Sequence, residues 1–213
     1  SPHIARYWAM CEWFDRTCAE LLDHLETTGH ARDTIVLFVT DNGWIQRPDA
    51  PGYAPRSKRS PYDGGLRAPI IVRWTGAVEP EVIDTPVSSL DLAPTILRAC
   101  GVPIPGEMRG IDLLDDDAIA RRDTIFGDVH LHNAVDLHDP GRNVTHRWCV
   151  QGPWKLILPS SDDEPVELFD LASDPDERTS VASDHPEIVE RLTRLTDAWW
   201  SGLPRSVGPG SAP

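Results

Sequence analysis

Apolar residues recur at helical spacing from about Ala5 to Thr28. Tyr7, Met10, Cys11, Phe14, Cys18, Leu21, Leu22 and Leu25 fall on one stripe, and Gly29 supplies a stop signal. A short loop leads to Thr34-Ile-Val-Leu-Phe-Val-Thr40, an unbroken apolar and β-branched run. That is the pattern of a central parallel strand buried on both faces. The run ends abruptly at Asp41-Asn42-Gly43, and from Trp44 to Tyr62 the periodicity gives way to Pro, Gly, Arg and Ser. A loop of this length inside a compact domain is functional or disordered. A second strand is predicted over 68–74. A helix follows over 91–100, with Asp91 as N-cap, Pro94 early and Gly101 just past its end.

Between Asp112 and Asp123 the sequence turns acidic, with Asp115-Asp116-Asp117 in the middle. This stretch reads as a solvated linker or loop. Strand-like pieces follow over 147–150, 154–158 and 166–170, joined by short connections that suggest an antiparallel meander. A last helix is expected from Asp184, with Pro186 in its first turn, Glu187 placed as in a capping box, and Ile188, Leu192, Leu195 and Trp199 on its apolar stripe. The predicted organisation is an α/β domain over 1–120, a small α+β subdomain over 121–201, and a Gly/Pro/Ser-rich disordered tail over 202–213. No internal repeat is visible.

Composition narrows the function classes. The 213 residues are 40% hydrophobic and 25% charged, as in a folded globular protein, and carry a formal net charge of -14. So acidic a chain argues against a nucleic-acid partner, whose footprint is a basic stripe. No apolar run approaches the roughly 18 residues of a membrane span, and the first residues have neither the charged start nor the apolar middle of a secretion signal. They also lack an initiator Met, so the expectation is a chain that begins partway through a longer protein. Cys11, Cys18, Cys100 and Cys149 show no zinc-ribbon or redox spacing. Packing is the reading for Cys11 and Cys18, and the compartment is not legible from the cysteines.

Two elements stand out chemically. Asp41 and Asn42 offer a carboxylate and an amide oxygen at the carboxyl end of a strand, where open α/β sheets bind ligands. These are hard oxygen donors, suited to Ca2+, with Mg2+ second, rather than to zinc; an ordinary Asn-Gly turn is the plain alternative. The second element is Ser57-Lys-Arg-Ser-Pro-Tyr-Asp-Gly-Gly-Leu-Arg-Ala-Pro69. Around it Arg47, Arg56, Lys58, Arg59, Arg67 and Arg73 face only Asp49 and Asp63, a local cation excess in an acidic chain. Lys58 is a compact point charge suited to an anionic oxygen, against the alternative of a solvated basic loop.

Read together, Asp-Thr-Ile-Val-Leu-Phe-Val-Thr-Asp-Asn-Gly (33–43) and Lys-x-x-x-Tyr-Asp-Gly-Gly-x-Arg-x-Pro (58–69) resemble the sulfatase family. Asp91-Leu-Ala-Pro-Thr-Ile-Leu and Leu168-Phe-Asp-Leu-x-x-Asp-Pro-x-Glu (168–177) are similar to later landmarks of that family, so the resemblance covers nearly the whole chain. It implies part of an alkaline-phosphatase-like mixed sheet flanked by helices, followed by a small antiparallel sheet with a C-terminal helix. It implies Asp41 and Asn42 as two calcium ligands, Lys58 as a contact to sulfate oxygens, and Arg67 as a brace of the loop. Asp63 stands where the family more often has Glu, a departure that should leave the metal unaffected. The family's formylglycine nucleophile arises from Cys in a Cys-x-Pro-x-Arg stretch, and none of the four cysteines sits in one. Its early Asp-Asp ligand pair and upstream Lys and His are not found either.

The expectation is therefore a C-terminal portion of a sulfatase, inactive alone, whose complete form hydrolyses a sulfated small molecule or carbohydrate. Rival readings are a phosphodiesterase or phosphonate hydrolase of the same superfamily and a non-catalytic remnant acting as a binding module. A periplasmic or extracellular location is expected of the complete protein, with the cytoplasm left open. Association through the edge of a truncated sheet is a further expectation. His130-x-His132 could pair on a metal if both lay on a strand, or shape the substrate pocket; surface or packing roles are the plain alternative. Asn143-Val-Thr145 fits a glycosylation acceptor but is expected to be unused.

Overall fold

A computed structural model describes residues 1–200 of the chain, and the predicted tail lies outside these residues. The fold is mixed α/β and divides into two compact units. One comprises Ser1–Lys58 and Gly65–Arg121; the other comprises Arg59–Gly64 together with, among the described residues, 122–200.

In the first unit, helix α1 (Pro2–Thr27) begins at the Ser1 cap, whose hydroxyl accepts the His3 N–H. It ends two residues before Gly29, which takes φ 77°. Strand β1 (Val36–Val39) pairs antiparallel with β2 (Ile70–Arg73), Val36 opposite Arg73 and Val39 opposite Ile70. This corrects the expectation of a parallel strand buried on both faces. Val36, Leu37 and Phe38 are half-buried, Val39 is exposed, and among the described residues β2 is the sole partner. Phe14 of α1 sits 6.0 Å from Phe38, and Arg73 pairs with Glu26 at 2.7 Å. Four-residue α2 (Asp63–Leu66) precedes β2.

Helix α3 (Leu92–Ala99) follows, but Asp91 does not cap it through its side chain. The fully buried carboxylate instead accepts the N–H of Ser88 at 2.7 Å and of Ile111 at 2.8 Å, so it closes a capping box one turn earlier and pins the returning chain. The acidic stretch is also not all loop. Asp115 caps α4 (Asp116–Ala120), accepting the Ala118 N–H at 3.0 Å, and Asp116 and Asp117 lie in the first turn, where negative charge is favoured.

The second unit is built on a four-stranded antiparallel sheet in the order β3 (Thr124–His130), β4 (Val144–Gln151), β5 (Trp154–Pro159), β6 (Glu167–Asp170). The predicted meander is present, with β3 as an additional strand. One face carries Phe126, Cys149, Leu156, Leu158 and Leu168, packed against Leu192, Ile188 and Leu195 of α5 (Pro186–Trp199). Trp199 stacks on Phe126 at 5.3 Å, and Arg147 reaches Asp197 at 2.6 Å. The opposite face carries Trp148, Lys155, Ile157 and Phe169, as the register requires. Gly127, opposite Trp148, leaves room for the indole: a Cβ there would lie 2.4 Å from the ring.

Candidate active site

The Asp41-Asn42-Gly43 turn lies just past the end of β1, as predicted from the strand-end position. Three contacts inside the first unit draw it towards the Lys58 loop. The Gly43 N–H donates to the Gly65 carbonyl at 2.8 Å, and the Ile45 N–H donates to the buried Ser57 hydroxyl at 2.6 Å. The Lys58 ammonium stands 5.9 Å from the centroid of the Trp44 ring, a cation–π distance. Two segments separated by a long loop thus converge, as sequence order alone did not require. A short β-bridge between Gln46 and Tyr53 closes the intervening hairpin, and Trp44 meets Tyr53 edge-on at 5.2 Å.

Asn42 donates its Nδ2 to the Gly43 carbonyl at 3.0 Å, an arrangement that orients the amide and leaves Oδ1 as the atom that could face a cation. Asp41 is exposed. This adjacent carboxylate and amide oxygen fit part of a hard-cation shell, two of the six to eight oxygens calcium takes. Among the described residues no three His, Cys, Asp or Glu side chains gather into a metal site.

The basic excess is partly neutralised: Arg47 forms a two-pronged contact with Asp49, at 3.2 and 3.1 Å, and Arg73 is taken by Glu26. The Arg47 hydrogen bonds hold the Asp49 carboxyl below the usual carboxylate range. Arg67 is exposed and has no hydrogen bond or ion pair among the described residues, so the bracing expected of it falls to other residues.

Those residues are Tyr62 and Asp63, within the second unit. The Tyr62 hydroxyl donates to Glu167 at 2.6 Å, and its ring lies 6.2 Å from Phe169. Asp63 is gripped twice: its carboxylate takes the Lys155 ammonium at 2.6 Å, and its N–H donates to Glu177 at 2.6 Å. Lys155 also pairs with Glu177 at 2.6 Å and lies 5.9 Å from the Trp148 ring. The Lys155 side chain is fully buried, and Glu177 is 2% exposed. Burial pushes the Glu177 carboxyl up, and the Lys155 charge pulls it back down.

Sequence reasoning missed this cluster. The available signal was Lys155 itself, the one charged residue inside Trp154-Lys-Leu-Ile-Leu158, and Glu177 at the end of the 168–177 landmark.

The histidines stay apart. His130 ends β3 and contacts Asp128 of the same strand at 3.4 Å, while His132 lies beyond the strand and is exposed. Asn143 is buried, its Oδ1 accepting the N–H groups of Val135 and Asp136 and its Nδ2 donating to the Asp136 carbonyl at 2.6 Å. That amide is committed to its own loop rather than presented for a glycan. Among the described residues no helix is long and apolar enough to cross a membrane.

The family description Sulfatase matches residues 2–102, and N-sulphoglucosamine sulphohydrolase, C-terminal, matches residues 53–198. Arylsulfatase K of Xenopus laevis is 29% identical over 194 residues, which is 89% of this chain and 35% of that protein. An N-acetylgalactosamine-6-O-sulfatase of Bacteroides thetaiotaomicron is 26% identical over 212 residues, 86% of this chain and 40% of that protein. A solved structure from the same bacterium, concerned with the metabolism of multiple glycosaminoglycans, superposes with a TM-score of 0.66 at 28% identity, covering 84% of this chain and 39% of that one. The chain thus spans little more than a third of the length of the curated relatives it matches. It belongs to the sulfatase family, alkaline-phosphatase-like in fold, and corresponds to a C-terminal portion of its members.

Proposed function

We propose that this chain contributes one side of the active site of a calcium-dependent sulfuric ester hydrolase acting on a sulfated carbohydrate. The observation that carries the reading is the convergence of the Asp41-Asn42-Gly43 turn and the Lys58 loop, joined by the Gly43–Gly65 and Ile45–Ser57 hydrogen bonds. Asp41 and Asn42 would hold calcium through one carboxylate and one amide oxygen, two of the six to eight oxygens that it takes. Bound calcium supplies positive charge against the negative charge that develops on the sulfate as the ester bond breaks. Lys58 contacts the sulfate oxygens and stabilises the same charge, in a role open to a preorganised ammonium. Trp44 beside it limits where the flexible side chain can point. No cysteine here lies in a formylglycine-forming stretch, so the nucleophile comes from elsewhere in the complete protein and these residues alone do not turn over substrate. The sugar in the substrate class follows the N-acetylgalactosamine-6-O-sulfatase among the relatives.

The test is sulfate release from N-acetylgalactosamine 6-sulfate and from an aryl sulfate by the full-length protein. Release that stops on chelation and returns with Ca2+ supports the reading. Preferential hydrolysis of the matching phosphate esters would move the assignment to the phosphoryl-transferring relatives.

A further inference from the structure

Lys58 is flanked by two residues in the left-handed region, Arg56 at φ 56° and Arg59 at φ 68°. Neither is glycine, and a side chain in this region persists only where the surroundings over-determine it. On the near side, the constraint is the buried Ser57, holding the Ile45 N–H. On the far side the chain passes at once into Arg59–Gly64, the segment that belongs to the second unit.

There Asp63 is held by side chain and backbone together, through Lys155 and Glu177, four and five residues after Arg59 and Lys58. Lys155 occupies the centre of the sheet face not covered by α5, between Val150 on β4 and Phe169 on β6. An ammonium buried at that place is tolerable only when paired and hydrogen-bonded. Glu177 supplies one carboxylate from within the subdomain, and Asp63 brings the other with the loop. Tyr62, bonded to Glu167, seats the neighbouring residue on the same face. The second unit therefore carries a charged socket that the Tyr62-Asp63 dipeptide fills.

We infer that Lys155 and Glu177 act as a latch on Asp63 that sets the conformation of the loop presenting Lys58. They are positioning residues: they touch neither metal nor substrate in the proposed site. The functional meaning of the latch rests on the reading of Lys58 given above, whereas the latch itself can be tested without it.

Lys58 and Arg59 are themselves trypsin sites, so the loop reports on its own opening. The full-length protein is treated with dilute trypsin under native conditions, and cleavage after Lys58 and Arg59 is timed by mass spectrometry. Thiol-reagent labelling of Cys149, fully buried in the core of the second unit, is followed alongside. Asp63→Asn removes the carboxylate charge that meets Lys155 and leaves the Lys155–Glu177 pair in place. It is expected to speed cleavage at these two bonds roughly tenfold or more, as loss of a charge-assisted hydrogen bond allows, while Cys149 stays protected. Tyr62→Phe, which keeps the ring and loses the Glu167 bond, is expected to give a smaller increase of the same kind.

Cleavage of Asp63→Asn at the wild-type rate overturns the inference. So does loop cleavage that appears only together with labelling of Cys149, because the cluster would then stabilise the core and do nothing specific to the loop. If Lys58→Met leaves sulfate-ester turnover of the full-length protein unchanged, the role of Lys58 fails while the latch stands; an unchanged cleavage rate fails the latch and leaves Lys58 its role.

Discussion

Helices α1 and α5 are both amphipathic, yet the two units use them differently. The longer one, α1, has 26 residues and buries none of them: Trp13 is 73% exposed and Met10 71%. The shorter, α5, has 14 residues and buries Leu192 completely against Cys149, Leu156 and Leu168. Periodicity announces a face that suits burial, and it carries no information about what covers that face. The second unit holds its own core, reaching a fully buried Lys155 on one face of the sheet and Leu156 on the other. The first unit carries the candidate chemistry on a two-stranded sheet and extended loops.

The sharpest way to break this contrast is at Lys155. Lys155→Met keeps the volume but strands Asp63 and Glu177 as buried or half-buried carboxylates with no ammonium between them. Loss of one partner of a buried pair costs about 3–5 kcal/mol, so the urea midpoint of the second unit should fall steeply. A Lys155→Met, Glu177→Met double variant should recover part of the loss, because hydrophobic replacement of both partners is far better tolerated.

Next in size is a matched pair of truncations. Leu168→Ala should cost about 2–5 kcal/mol, for the side chain is fully enclosed. Leu21→Ala on α1, at 57% exposure, should cost no more than about 0.5 kcal/mol. Equal losses in urea melts would mean that α1 is covered and that the contrast is wrong.

The smallest effect is alkaline and confined to the second unit. Burial pushes the Cys149 thiol above its usual value, with Thr196, the Leu156 backbone and Arg191 pulling the other way. An unfolded chain loses that proton near pH 8.5, to about a unit, while the folded chain keeps it. Stability is thus full below that pH and declines as the pH rises towards the folded-state value. Urea midpoints compared at about pH 7.5 and about pH 9.5 should show this decline, and Cys149→Ala should remove part of it.

The same contrast governs what was legible in the sequence. Regular apolar spacing placed α1, β1, β2 and α5 within a few residues, and the meander was visible from its short connections. β3 escaped notice because Gly127 and Asp128 interrupt its pattern; Gly127 is there for the Trp148 ring, a cross-strand requirement invisible along the chain. The five-residue α4 was hidden because acidic residues that favour its first turn also compose a solvated loop. At the site, Asp41, Asn42 and Lys58 could be named from local chemistry and order. The seating of Tyr62-Asp63 could not, because Lys155 and Glu177 lie 92 and 114 residues beyond Asp63, and a lysine on a strand reads by default as pointing to water.

The central claim, that Lys58 stabilises charge on a sulfate ester beside a calcium held by Asp41 and Asn42, is tested most directly by steady-state kinetics. The measurement is Lys58→Met against wild type in the full-length protein, with calcium saturating. The account predicts a fall in kcat of about 10²–10³, the range seen when one preorganised oxyanion donor is removed, with calcium affinity unchanged. A kcat within about threefold of wild type would contradict it and leave the Lys58 loop a structural feature of the fold.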